Sequence, residues 1–184
     1  MAQQTEQKPD AVQFLEAQHE EIRGLFADLR GAGTAEKADV FQCLVRLLAV
    51  HETAEEMIVH PEARRADAGD PIVEQRLAEE AEAKQMLAHL EELGADDPRF
   101  SAELTAFEQA VLDHAGREER EEFPLLYEVH DEDVLRRMTS QLKVAEGMAP
   151  THPHPHGPES ATGNFLIGPF VSMVDRVKDA LRRS

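Results

Sequence analysis

Cysteine and the larger aromatic residues are scarce in this chain. Cys43 is the only cysteine, Tyr127 is the only tyrosine, and there is no tryptophan. One cysteine cannot form an internal disulfide framework, nor can it supply a zinc site made of several thiolates. The chain is therefore not expected to be a disulfide-stabilised domain or a zinc-finger type of domain.

Long apolar runs are also missing. No stretch approaches the roughly 20 apolar residues of a membrane-spanning helix, and the polar N-terminal segment lacks the apolar region of a secretory signal. Basic residues number 19 against 37 acidic ones, which gives a formal net charge of −18. Without a basic stripe interleaved with aromatic residues, neither nucleic acid nor a membrane is an expected partner. A cytoplasmic protein is predicted, with one compact domain and a short appendage.

What the chain does contain is helical periodicity, with apolar residues at alternating spacings of three and four along nearly every segment. A capping residue (Asp10), two glycines (Gly31 and Gly94) and two prolines (Pro61 and Pro124) mark expected helix ends. Four long helices are predicted, over about residues 10–30, 35–60, 70–93 and 98–123. A shorter fifth helix is predicted over about residues 131–146. The proline-rich stretch 150–163 is predicted to be non-helical, with a last amphipathic helix over 169–183.

The sequence repeats itself at the level of helix pairs. Two copies of one motif each contain a His, a Glu four residues later and a Pro six residues after that Glu. They are His51-x-x-x-Glu55-Glu56 with His60-Pro61 and His114-x-x-x-Glu118-Glu119 with Phe123-Pro124. The third predicted helix likewise matches the first, so that Val73 is equivalent to Val12, which indicates an internal duplication. Arg76 is an exception, because the equivalent Leu15 predicts an apolar residue there, and this favours a rotation that turns Leu77 inward.

Three histidines and two glutamates lie near the middle of the predicted inward-facing stripes. They are His19, His51, Glu55, His114 and Glu118. A His and a Glu four residues apart on a helix share one face and can share one metal ion. Burying an unpaired carboxylate is costly, and a metal ion removes that cost. Metal binding is therefore favoured over histidines that are merely hydrogen-bonded in a core. Nitrogen and oxygen ligands without sulfur are typical of non-haem iron, with manganese and zinc as alternatives.

These motifs resemble those of the haemerythrin-like, or HHE cation-binding, domains over about residues 12–128. The resemblance rests on Gln18-His19-Glu20-Glu21-Ile22-Arg23 in the first helix and on the two His-x-x-x-Glu motifs. It implies an all-α fold, an up-down-up-down four-helix bundle, holding two non-haem iron ions bridged by carboxylates and by an oxo or hydroxo group. It also implies iron ligation by His19, His51, Glu55, His114 and Glu118. Ferritin-like di-iron proteins match less well, since their motif is Glu-x-x-His with the carboxylate first.

The third helix departs from the pattern of that family, in which it supplies a histidine followed four residues later by a lysine. The spacing to Lys84 and the internal duplication, which makes position 80 equivalent to His19, both put Glu80 at the position of this histidine. Either Glu80 is a further metal ligand, or it forms an i,i+4 ion pair with Lys84 and water takes the free position. We favour the ligand, because the stripe around Glu80 faces the site. His89, the other histidine of this helix, lies off the stripe and is expected to be exposed.

The carboxylate at position 80 bears on the expected function. It adds a hard anionic oxygen in place of an imidazole, which favours ferric over ferrous iron. A reversible oxygen carrier needs an accessible diferrous state, so we expect reaction with a small oxidant (hydrogen peroxide, nitric oxide or oxygen), catalase-like or peroxidase-like. The alternatives are a protein that binds or senses oxygen, nitric oxide or iron without turnover, and a structural bundle whose histidines bind zinc adventitiously. A monomer or small homo-oligomer is expected.

Four residues beside the expected site carry weaker signals. Glu56 and Glu119, which neighbour the expected ligands, are either groups that orient histidines or ordinary surface charges. Glu121 takes the place of an apolar residue and marks either a solvated opening or a flared helix end. Tyr127 is expected to serve in packing rather than to reach the site.

Two segments are expected along the chain. Residues 10–128 form the di-iron bundle, and residues 129–184 form a C-terminal extension packed on it. The extension contains the short fifth helix, a His-Pro loop with His152, His154 and His156, and the amphipathic helix. Packing of this loop against the bundle is favoured over metal capture at the surface.

Overall fold

The computed structural model describes residues 8–148, and this part of the chain is all-helical. Its α-helices are α1 (Ala11–Gly31), α2 (Thr34–Ala54), α3 (His60–Ala63), α4 (Gly69–Leu93), α5 (Phe100–Arg117), α6 (Phe123–Val129) and α7 (Glu132–Met148). Two π-helical turns, π1 (Glu55–Val59) and π2 (Glu118–Glu122), join α2 to α3 and α5 to α6 without interrupting the helix. None of the helices within residues 8–148 is long and apolar enough to cross a membrane. The predicted loop over 150–163 and the predicted helix over 169–183 lie outside the described residues.

Local sequence signals determine where α1 begins and where α4 ends, as predicted. The side chain of Asp10 accepts a hydrogen bond from the N–H of Gln13 (2.9 Å), and the side chain of Gln13 accepts one from the N–H of Asp10 (3.2 Å). This reciprocal capping box satisfies two N–H groups at the start of α1. At the end of α4, Gly94 adopts a φ of 73°, which glycine reaches without steric cost.

The second and fourth bundle helices run past the prolines that were expected to end them. Each π turn is closed by a hydrogen bond from residue i to residue i−5. These bonds join His60 N–H to Glu55 O and Phe123 N–H to Glu118 O. The wider turn lets the following proline occupy the start of a new α-helical turn, where its missing N–H costs little. The predicted ends were therefore wrong, and the helices continue to Ala63 and Val129.

The long helices form an up-down-up-down bundle in which α1 packs on α2 and α4 packs on α5. Short connections of this kind join antiparallel neighbours. The fifth long helix, α7, packs on α1 and α2 and buries Leu135, Met138 and Leu142 in the core. Burying each of these side chains contributes about 1.5–3 kcal/mol. The boundary predicted at residues 128 and 129 between bundle and extension stays a prediction.

The apolar core is divided into two clusters with a polar layer between them. One cluster contains Leu15 and Phe123, and the other contains Ile22 and Phe107. Along α1, Leu15 and Ile22 thus belong to different clusters, and the buried His19 lies between them. Apolar side chains above and below the polar layer exclude water, so charges in that layer need partners within the protein.

Arg76 faces the interior, contrary to the predicted rotation of the third helix. Its side chain is fully buried, whereas Leu77 is only partly buried. One guanidinium nitrogen of Arg76 lies 3.2 Å from a carboxylate oxygen of Glu79 and 3.5 Å from one of Glu121. These acids, one from α4 and one from π2, are ion-pair partners of this buried cation, whose Nε and Nη1 have no hydrogen-bond partner among the described residues. Apolar periodicity could not reveal them, because one of them comes from another helix.

Candidate metal centre

Three imidazoles from three helices turn the same ring nitrogen towards the middle of the polar layer. The outer nitrogen, Nδ1, of each one contacts a side-chain oxygen. These pairs are His19 with Glu119 (2.8 Å), His51 with Gln18 (3.0 Å) and His114 with Glu79 (3.1 Å). Because a carboxylate or amide oxygen accepts hydrogen bonds, Nδ1 donates in each pair, and Nε2 is the nitrogen available to a metal. An oxygen acceptor behind each imidazole is the usual arrangement around histidine ligands.

The first cluster consists of His19, His51, Glu55 and Glu118, all buried, with ligand atoms within 4.8 Å of one another. Nε2 of His19 lies 3.1 Å from Nε2 of His51 and 3.3 Å from Oε2 of Glu118. Nε2 of His51 lies 3.2 Å from Oε2 of Glu55. Two nitrogen and two oxygen donors from three helical segments therefore surround one small volume.

The second cluster consists of Glu52, Glu80 and His114, whose ligand atoms also lie within 4.8 Å of one another. Glu118 joins the two clusters, because its Oε1 lies 3.1 Å from Nε2 of His114 while its Oε2 faces His19. A carboxylate with one oxygen towards each cluster has the placement of a bridging group. The two clusters thus form one continuous centre.

Unpaired atoms in this centre fit a bound cation. Both carboxylate oxygens of Glu55, both of Glu118 and Nε2 of His114 are buried without a hydrogen-bond partner among the residues described. Each such orphaned group costs about 1–3 kcal/mol, and more when it is charged. Donor separations of 3.1–3.3 Å would let one cation contact several of these atoms at ordinary metal–ligand distances of about 2.0–2.2 Å. A donor set of imidazoles and carboxylates suits iron, manganese or zinc.

The carboxyl groups of the centre differ in their protonation. Burial, followed by the charges of Glu118 and Glu52, raises the pKa of Glu55 well above its ordinary value. Burial and then the charge of Glu80 raise the pKa of Glu52 in the same way. Glu118 behaves oppositely: burial alone would raise its pKa, but the charges of His114 and then His19 lower it. The group that spans both clusters is therefore held as an anion.

The histidines of the centre also differ. Burial, assisted by repulsion from His19, lowers the pKa of His51 to about 3, so this imidazole is neutral at pH 7. Burial would lower the pKa of His114 as well, but Glu118 outweighs it and raises the pKa to about 10. Without a metal, His114 and the acids with raised pKa values hold protons that a cation would displace.

The contacts of Glu80 agree with both interpretations of the sequence, in which it is either a metal ligand or the ion-pair partner of Lys84. Its side chain is only 1% exposed, and Oε2 accepts a hydrogen bond from Nζ of Lys84 (3.2 Å), so the predicted i,i+4 ion pair is present. Glu80 also belongs to the second cluster, as the ligand interpretation requires. Its Oε1 accepts a hydrogen bond from Nε2 of His60 (2.7 Å). Burial would raise the pKa of Glu80, but His60 and then Lys84 lower it to about 2.

The structure brings all six residues predicted from the sequence into the two clusters. His19, His51, Glu55 and Glu118 form the first cluster, and Glu80 and His114 belong to the second. Sequence reasoning missed Glu52, which directly follows His51 but lies one residue off the stripe. It also missed the buried pair of His60 and Glu122, because the π turns shift the inward-facing position by one residue. In the sequence, the only signal that could have pointed to this pair was the proline in each of the two helices, which marks an irregular turn there.

The side chains with weaker sequence signals fall in different places. Glu119 contacts Nδ1 of His19, so it is one of the groups that orient a histidine. Glu56 is instead paired with Lys84. Tyr127 is 51% exposed and donates a hydrogen bond to Asp10 (3.2 Å), at the start of α1. Glu121 is exposed, and the buried acid of π2 is its neighbour Glu122. His89 is exposed, as predicted.

The fold and these clusters define a helical-bundle protein with a buried histidine–glutamate centre that can bind a metal. The chain belongs to the haemerythrin family, since residues 10–126 match the family model described as Hemerythrin HHE cation binding domain. The predicted family and the predicted all-α bundle are thereby confirmed.

Two relatives illustrate the similarity. An uncharacterized hemerythrin-like protein of Schizosaccharomyces pombe is 23% identical over 168 residues, which cover 90% of this chain and 83% of the relative. A crystal structure of a Hemerythrin HHE cation binding domain-containing protein from Mycobacterium kansasii matches with a TM-score of 0.66 and 22% identity. That match covers 76% of this chain and 89% of the other, and it supports the fold.

Proposed function

We propose that this protein is a non-haem di-iron protein that reacts with a small oxidant in catalase-like or peroxidase-like redox chemistry. The observation that carries the proposal is the pair of clusters joined by Glu118, with one oxygen towards each. Two iron ions would be held by His19, His51, Glu55, Glu118, Glu52, Glu80 and His114. Bound iron would supply a Lewis acid and a redox centre for hydrogen peroxide, nitric oxide or oxygen.

The surrounding side chains prepare the centre for this role. Oxygens of Gln18, Glu79 and Glu119 fix the ring planes of the three imidazoles. Less rotational freedom of these side chains is then lost when a metal binds. Gln18 is itself held by Glu146 of α7 (2.6 Å), so the fifth long helix supports a ligand of the first cluster. The apolar clusters on either side exclude bulk water, which strengthens electrostatic interactions within the layer.

The number of carboxylates in the centre favours reaction with an oxidant over reversible binding of oxygen. Four glutamates stand against three histidines in the two clusters. Hard anionic oxygens stabilise the more highly charged metal ion, so the ferric state is favoured over the ferrous state. A centre with this preference is poorly suited to storing oxygen in a reduced form, and better suited to cycling with peroxide.

The test begins with the purified full-length protein loaded with iron under anaerobic conditions. We expect about two irons per chain by elemental analysis and turnover of hydrogen peroxide measured by oxygen release or donor oxidation. His51→Ala and His114→Ala each remove one ligand and are expected to lose iron and turnover together. His89→Ala is the matched control, since this histidine is exposed and lies outside both clusters.

Other outcomes would redirect the assignment. Two irons without turnover, combined with an optical change on adding oxygen or nitric oxide, would indicate binding or sensing without catalysis. Preferential retention of zinc, with iron taken up only in substoichiometric amounts, would contradict the di-iron proposal. The same iron content in the native protein and in both histidine variants would exclude these clusters as the binding site.

A further inference from the structure

The internal duplication relates two contacts between the halves of the bundle, but the residues that make these contacts differ. The internal duplication makes Glu80 equivalent to His19, and Phe123 equivalent to His60. In one of these two equivalent contacts between the halves, the ring of His19 stacks on the ring of Phe123, with centroids 5.7 Å apart and planes inclined by 13°. In the other equivalent contact, His60 donates a hydrogen bond to Glu80 (2.7 Å). The histidine is therefore at position 19 in one contact and at position 60 in the other, and the duplication does not relate these two positions to each other.

A buried carboxylate occupies the far side of His60. Nδ1 of His60 lies 2.7 Å from Oε1 of Glu122, while Nε2 lies 2.7 Å from Oε1 of Glu80. His60 and Glu122 are 3% and 0% exposed, so solvent does not compete for these hydrogen bonds. Both nitrogens of His60 are already bonded to oxygen, so this imidazole is arranged to hold a carboxylate rather than to bind a metal directly.

The π turns bring this pair together. His60 directly follows π1, and Glu122 is the last residue of π2. In an uninterrupted α-helix the stripe containing His114 and Glu118 would continue at residue 121, yet Glu121 is exposed. In the other half, the residue equivalent to Glu122 is the buried Val59. Both halves therefore contain the same helical irregularity, but His60 and Glu122 form an ionic pair between the halves, where the equivalent residues Phe123 and Val59 are apolar.

We propose that His60, supported by Glu122, is a positioning residue that holds the Glu80 carboxylate as a ligand of the second cluster. Nε2 of His60 fixes one oxygen of Glu80, and Lys84 contacts the other at 3.2 Å. Together they restrict both rotation and tilt of a carboxylate that otherwise has several rotamers to lose on binding. The inference deepens the proposed function, because it assumes that a metal occupies the second cluster.

The internal duplication supplies the design of the test. Replacing His60 and Glu122 together by Phe and Val copies the residues at the equivalent positions, Phe123 and Val59. This double variant removes a buried ionic pair as a unit, which proteins commonly tolerate better than the loss of one partner. A triple variant adds Glu80→His and so copies the complete arrangement around His19.

Binding is measured with iron(II) under anaerobic conditions and with zinc(II) as a redox-inert probe, by competition against a chelating dye. The double variant H60F/E122V is expected to bind the weaker of its two ions about 10- to 100-fold less tightly than the native protein. The triple variant is expected to regain two tightly bound ions. Its iron-loaded optical spectrum should differ from that of the native protein, since an imidazole replaces a carboxylate. Circular dichroism confirms helix content in both variants.

The inference is overturned if the folded double variant binds both ions as tightly as the native protein. It is also overturned if Glu80→His alone binds two ions as well as the triple variant, since His60 would then have no influence on position 80. If the double variant does not fold, the triple variant decides: two tight ions support the inference, and one ion contradicts it. Failure of the native protein to bind two ions would instead contradict the proposed di-iron function.

Discussion

At the scale of single residues, two glutamates on the same face of one helix have different roles. Glu52 and Glu56 lie four residues apart on one helix, yet Glu52 belongs to the second cluster and Glu56 pairs with Lys84. One oxygen of Glu52 is buried without a hydrogen-bond partner among the described residues. For these two residues, the buried oxygen without a hydrogen-bond partner favours Glu52 as a ligand, and the ion pair with Lys84 makes Glu56 a supporting group.

This difference predicts the outcome of a matched pair of substitutions. Glu52→Gln keeps the shape of the side chain but removes its anionic charge, so we expect the affinity for one of the two ions to fall by more than about tenfold. Glu56→Gln should change the affinity little, because Lys84 retains its contact with Glu80. Chelator competition measures both variants. A larger loss for Glu56→Gln would contradict the assignment of Glu52 to the centre.

The protonation of the centre predicts how metal binding depends on pH. In the metal-free protein, His114 with its pKa of about 10 holds a proton at pH 7, and burial raises the pKa of Glu52 and of Glu55, which shifts both towards their protonated forms. A metal ion requires these ligands to be deprotonated, so binding releases protons and becomes weaker as the pH falls.

Isothermal titration calorimetry at pH 7 in two buffers of different ionisation enthalpy measures the number of protons released. We expect the apparent heat of zinc binding to differ between the buffers, with net release of at least one proton per chain. Equal heats would mean that the ligands are already deprotonated. His51 contributes nothing to this release at pH 7, because its lowered pKa of about 3 keeps it neutral.

At the scale of helices, the turn between α3 and α4 depends on a close backbone contact. A Cβ atom added to Gly69 would lie 2.1 Å from the carbonyl oxygen of Ala63. Because the obstructing atom belongs to the backbone, relief requires movement of a helix end rather than of a side chain. Gly24, in the middle of α1, has no atom within 4 Å of an added Cβ.

These two glycines predict opposite effects on the free energy of unfolding. Gly69→Ala should destabilise the protein by about 1–3 kcal/mol, the usual cost of forcing extra volume into a packed site. Gly24→Ala should stabilise it by about 0.5–1 kcal/mol, since alanine loses less backbone entropy in a helix. Urea unfolding followed by circular dichroism measures both. A stabilising Gly69→Ala would show that the turn relaxes easily.

The helices also show where pattern reading succeeds and where it fails. The beginning of α1 and the end of α4 were predictable, because a capping box and a glycine act within a few residues. The continuation of the helices past Pro61 and Pro124 was not predictable from those prolines alone. A proline excludes one hydrogen bond at one position, but it does not reveal that a π turn upstream has already released that position.

At the scale of the whole molecule, the polar layer links metal binding to folding. Buried carboxylates and imidazoles from the four bundle helices meet between two apolar clusters. In the metal-free protein, the desolvation of these acids, and the repulsion that their ionisation would cause, oppose the stability that the apolar clusters provide. A ligand that binds only the folded state stabilises it by an amount that grows with the logarithm of the free ligand concentration relative to its dissociation constant.

Removal of the metal should therefore lower the thermal midpoint. Free metal at about 1,000 times its dissociation constant adds about 4 kcal/mol of stability, which for a chain of this size corresponds to an increase of about 10 °C. Thermal unfolding by circular dichroism, with and without excess chelator, measures the difference. The double variant His51→Ala/His114→Ala should show a much smaller difference. Equal midpoints for the loaded and metal-free native protein would contradict this coupling.

The sequence by itself determined the helical composition, the duplicated helix pairs and six of the residues that meet in the polar layer. The inward-facing stripes follow from spacings along one helix, where three or four residues bring side chains onto one face. The match between the helix pairs and the resemblance to haemerythrin-like domains added Glu80 to them. Only the tertiary structure decided that Glu52 joins the second cluster, that Arg76 is buried, and that His60 lies between Glu80 and Glu122. These outcomes depend on contacts between separate helices and on π turns, where one extra residue rotates the following side chains by about 100°.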